Sequence, residues 1–187
     1  MFATAQDIEA FIQDFEGRTL PKSHWTHHGH LVVGLWYLTL HSPDDAHTIV
    51  RQRIRKYNEA VGTANTDSSG YHETLTRLFL HGIAEHILAH RTQSLPSSLA
   101  ILLQSPLAHK DWPLSIYSRE RLFSVAARHE WLEPDLTPDD DTYHSYIGVA
   151  ANGGGLARLQ SARLGATVTE LGLIGGGHSE MERRTVE

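Results

Sequence analysis

The sequence predicts a mostly α domain, a helical bundle or orthogonal array of about five to six helices, followed by an irregular C-terminal tail. Three observations predict it. Apolar residues recur three and four positions apart through most of the first 130 or so residues, the period of an amphipathic helix. Several of these stretches open on Ser, Thr or Pro followed by acids, the residues that start helices. The chain is 40% apolar and 20% charged, the balance of a protein with a packed core. The helical domain is expected over residues 1–138, and a Gly-rich, flexible tail over 139–187.

The elements follow in order. Thr4 or Asp7 caps a first helix whose apolar face is Ile8, Phe11, Ile12 and Phe15, with Gly17 and Pro21 closing it. A second helix starts near Ser23 or Thr26 and runs to about His41, with Leu31, Gly34, Leu35 and Leu38 inward and His27 extending that stripe back by one turn. Ser42-Pro43-Asp44-Asp45 is the clearest start signal, combining a cap, a proline suited to the first turn and two acids at the positive end of the helix dipole. That third helix ends at Gly62. Residues 62–70 are loop, and a fourth helix runs from about Tyr71 to His90 on Leu75, Leu78, Phe79, Ile83 and Ile87. A shorter helix follows from Leu95 to Leu103, then a short helix or pair of helices between Ser118 and Trp131. Glu133 to Asp141 is an acidic, proline-broken linker. The tail carries Gly153-Gly154-Gly155 and Gly175-Gly176-Gly177. The latter is not a dinucleotide fingerprint, because no βαβ unit surrounds it.

Charge and composition remove several classes. The net charge of −6 and the scattered basic residues argue against nucleic acid, Arg51-Gln52-Arg53-Ile54-Arg55-Lys56 reading as a solvated helix face. With no cysteine there is no disulfide, thiolate nucleophile or Cys-bound metal. No stretch is long and apolar enough for a membrane span and the N-terminus does not read as a signal peptide, so a cytoplasmic location is expected. No Gly-x-Ser-x-Gly elbow supports a serine hydrolase.

Histidine is in excess, with 14 residues. Ser23-His24-Trp25-Thr26-His27-His28-Gly29-His30-Leu31 holds four of them, and His27 and His30 are spaced to present two imidazoles to one ion. A second polar cluster, Asn65-Thr66-Asp67-Ser68-Ser69-Gly70-Tyr71-His72-Glu73-Thr74, lies some forty residues on. With one helix between them, the second and fourth helices of an up-down bundle start at the same end, which brings His27, His30 and His72 within reach of one ion. Asp67 or Glu73 is then a ligand or general base, and Asn65 an orienting group. The plainer account is that these histidines bond nearby backbone, that Asn65 and Asp67 serve a turn, and that Ser69 serves a cap. His86 and His90 have the spacing of a zinc protease motif but Ile87 stands where its glutamate belongs.

The segment from Leu20 to Leu38, with Trp25-Thr26-His27 and His30-Leu31, and the segment from Tyr57 through Asn65-Thr66-Asp67 to Gly70-Tyr71-His72-Glu73-Thr74, resemble a group of small uncharacterised bacterial proteins. The likeness covers about residues 5–136. It implies no activity, since none is established for that group.

The expected function is a metal-dependent enzyme acting on a small molecule. His27, His30 and His72 would hold a divalent ion (zinc, iron, manganese or nickel), and Asp67 and Glu73 would act in catalysis. The alternatives are a non-catalytic small-molecule or metal-binding protein and a metal-free helical interaction domain. The sequence leaves a homo-oligomer open.

Overall fold

The computed structural model describes residues 2–136, which form seven α-helices and, among the described residues, no strand. The expected tail, 139–187, lies outside the described residues. The helices are α1 (Ala5–Gly17), α2 (His27–Leu40), α3 (Pro43–Ala60), α4 (Glu73–Ala89), α5 (Leu95–Leu102), α6 (Arg119–Leu122) and α7 (Val125–His129). Short 3-10 turns at Lys22–His24, Pro106–Ala108 and Trp112–Ser115 punctuate the connections. None of the described helices is long and apolar enough to cross a membrane.

Local chemistry sets the boundaries. Thr4 caps α1 in a reciprocal box with Asp7, and Ile8, Phe11, Ile12 and Phe15 form its buried face, as the spacing predicts. Ser42 caps α3, with Pro43 in its first turn. The region expected as one helix or two between Ser118 and Trp131 is two, α6 and α7, each capped by its own serine, Ser118 and Ser124.

α2 departs from the expected single stripe. Leu31, Val32, Val33, Leu35 and Tyr37 are all buried, so the middle of the helix is enclosed, while His28, His30 and Leu40 towards its ends are exposed. A helix apolar around its circumference is stable only when wrapped by others, and here α3, α4, α5 and the Pro106–Ala108 turn wrap it. Each fully buried Leu or Ile contributes about 2 kcal/mol. Gly34 sits where α2 faces α4: a Cβ there would lie 2.6 Å from Ile83 Cδ1, so that side chain would have to shift. Beside this core, Trp25 stacks on Phe15 with ring centres 4.6 Å apart, and the buried Tyr57 hydroxyl donates to the Leu20 carbonyl at 2.9 Å.

The C-terminal helices are stitched to the start of α4. Thr74 Oγ1 donates to the Glu130 carbonyl at 2.7 Å, and Arg128 Nη1 donates to the carbonyls of Gly70 and Tyr71 at 3.3 and 3.1 Å. Asn65 shapes the preceding loop: its Oδ1 accepts from Asn58 Nδ2 and the Tyr71 backbone, and its Nδ2 donates to the Arg55 carbonyl.

Candidate functional site

The histidines expected to share an ion are separated. His27 and Phe79 have ring centres 4.9 Å apart, and Gly34 faces Leu80 and Ile83. The start of α2 meets the middle of α4, and Phe79 lies seven residues beyond His72, roughly 10 Å along a helix. Among the described residues no group of three or more His, Asp or Glu side chains is placed to hold a metal ion.

Each of these imidazoles has a main-chain partner instead. His27 Nε2 donates to the Leu107 carbonyl at 2.8 Å, tying α2 to the Pro106–Ala108 turn. His30 Nδ1 donates to the Thr26 carbonyl at 2.8 Å, and its ring lies 3.9 Å from that of Trp25. His72 is the N-cap of α4, so the helix starts two residues later than expected. Its Nδ1 accepts from the Leu75 N–H and its Nε2 donates to the Leu122 carbonyl at 2.9 Å. With one ring nitrogen accepting and the other donating, the ring is neutral, and burial holds its pKa down at about 4. His86 repeats the pattern, its Nε2 lying 3.0 Å from the Ser98 carbonyl. His27, His72 and His86 therefore each tie two elements together.

Asn65 and Asp67 do not attend these rings. Asn65 is spent on the loop, and Asp67 is exposed, its Oδ1 2.7 Å from His129 Nε2.

His72→Ala is expected to lower stability by about 2–3 kcal/mol through loss of the cap and the Leu122 bond. Urea unfolding checks it. The loss should be equal with and without EDTA, and a difference abolished by EDTA would restore the metal reading.

Glu73 is different. It is 4% exposed at the first position of α4, where the helix dipole favours an anion. Tyr71 Oη donates to its Oε2 at 2.8 Å, His47 Nε2 lies 3.0 Å from its Oε1, and Arg51 Nη1 is 3.7 Å from its Oε2. Burial by itself raises the pKa of Glu73. The His47 and Tyr71 donors and the Arg51 charge outweigh it and hold the carboxyl below its ordinary range. Burial and the same carboxylate push the Tyr71 hydroxyl up, so it stays a donor. The His47 contact is short, but its geometry is not that of an aligned hydrogen bond.

His47 was not singled out by the sequence reading. It sits on α3 one turn before Arg51, and that i, i+4 pair of cationic-capable side chains was the available signal. The same His47 lines a cavity of about 180 Å³ between α3 and α4, with Asp44, Arg77, His81 and Glu85. His81 is the second imidazole in that wall. Its Nε2 is buried without a partner, and desolvation lowers its pKa.

Compared with known protein families, with curated proteins and with solved structures, the chain matches none.

Proposed function

We propose that the protein acts on a small polar molecule held in the α3–α4 cavity, with His47 as the group that exchanges protons with it and Glu73 as the positioning residue behind His47. One observation carries the reading: a buried carboxylate, itself fixed by Tyr71 and Arg51, backs an imidazole that lines a cavity. A carboxylate behind an imidazole fixes its tautomer and stabilises the cation that forms when the ring takes a proton, which is the arrangement of general acid–base sites. The mixed lining of Asp44, Arg77 and Glu85 favours a polar ligand over an apolar one, and the volume favours a small one.

The test is a screen of small polar metabolites by thermal shift on wild-type protein, repeated on His47→Gln and Glu73→Gln. A binder is expected to lose about tenfold or more in affinity in His47→Gln, as a direct contact should. Its remaining binding in Glu73→Gln should lose its pH dependence. Ligands that bind both variants as they bind the wild type would refute the assignment.

A further inference from the structure

A second cavity, along the His-rich segment, is unrelated to His47. It has a volume of about 540 Å³ and lies where α1, the start of α2 and α5 meet. Its floor is apolar, built by Phe11, Leu99 and Leu103, and its lip carries His24, His28 and Gln104. Leu99 and Phe11 are buried, whereas His24, His28 and Gln104 are exposed, so apolar depth and polar edge are spatially separate. No Asp, Glu, Lys or Arg lines it among the described residues. A ligand of that volume class is drug-sized or smaller.

We infer that this groove binds a medium-chain carboxylate, with the apolar chain on Phe11, Leu99 and Leu103 and the head against the imidazoles of His24 and His28. The floor gains from covering apolar carbon, the usual source of affinity in such clefts. Imidazole N–H groups and the Gln104 amide donate to an acceptor-rich head, and no carboxylate in the lining repels it. An ammonium head would find no acidic partner there. The site owes nothing to the α3–α4 cavity, so the two readings stand or fall separately.

Calorimetric titration of the full-length protein with decanoate and with decanol tests it. Decanoate is expected to bind saturably and more tightly than decanol. Ala100→Trp, at an exposed α5 position lining the groove, should fill the space and weaken decanoate at least about tenfold while leaving the melting temperature unchanged. The His24→Ala/His28→Ala pair should bring decanoate down to the level of decanol, and His47→Gln should change neither. Absence of saturable binding, or binding indifferent to Ala100→Trp, would overturn the site. Equal binding of decanoate and decanol by the wild type would overturn the carboxylate head.

Discussion

Acidification from about pH 7 to about pH 4.5 is expected to remove roughly 3 kcal/mol or more of folding stability, well before most carboxylates are protonated. The cause is the set of histidines buried as neutral rings. His27, His72, His81 and His86 all have pKa values lowered by desolvation, and that of His72 stands at about 4 against an ordinary 6.5. The unfolded chain takes up these protons near 6.5, whereas the folded chain takes them up only at lower pH. Stability is therefore full above about 6.5 and falls as pH drops, and the His72 share levels off below about 4. Protonating His72 also breaks its cap, because a cationic ring has no nitrogen left to accept from Leu75. Glu73 and Asp135, whose pKa values are lowered, extend the loss in the same direction at still lower pH. Urea titrations across this range measure the slope. His72→Gln, which cannot titrate, should flatten it, and a slope identical to that of the wild type would remove His72 from the account.

Gly70→Ala is expected to be the most damaging single methyl in the described chain, at about 3 kcal/mol or more. Gly70 has φ of 75°, a left-handed conformation that costs other residues roughly 1 kcal/mol or more. Its surroundings make matters worse: an added Cβ would stand 2.6 Å from the Ala64 carbonyl oxygen and 2.9 Å from Asn65 Cα, neither of which can rotate away. Moving Asn65 undoes the bonds to Asn58 and to the Tyr71 backbone, and with them the placement of Tyr71 against Glu73. Gly62 is the control. Its φ is 73° but nothing lies within 4 Å of the same Cβ, so Gly62→Ala should cost only about 1 kcal/mol. Comparing the two denaturation midpoints isolates the collision from the backbone strain. Equal losses would mean that the crowding around Gly70 relaxes freely.

The helices were legible in the sequence wherever a local rule decides them. Thr4 and Ser42 cap because a hydroxyl reaches an N–H three residues on, and Ile8 to Phe15 face inward because one turn of helix brings them to one side. Those interactions lie within a few residues of each other, so a reader of the chain has all the terms. Glu73 was picked out too, but as a ligand or base beside the histidines of α2.

What only the tertiary structure decided is register and partnership. His27 packs on Phe79, seven residues beyond His72, and that offset separates the two imidazoles. The offset depends on side-chain shapes summed over the whole interface, which no spacing rule encodes. For the same reason Glu73 meets His47 of α3 rather than the histidines of α2, and Asp67 ends on the surface with His129. The sequence by itself determined a helical domain with too many histidines to be ordinary. Packing decided that three of those rings close onto distant carbonyl oxygens, Leu107, Leu122 and Ser98, because a buried N–H must find an acceptor.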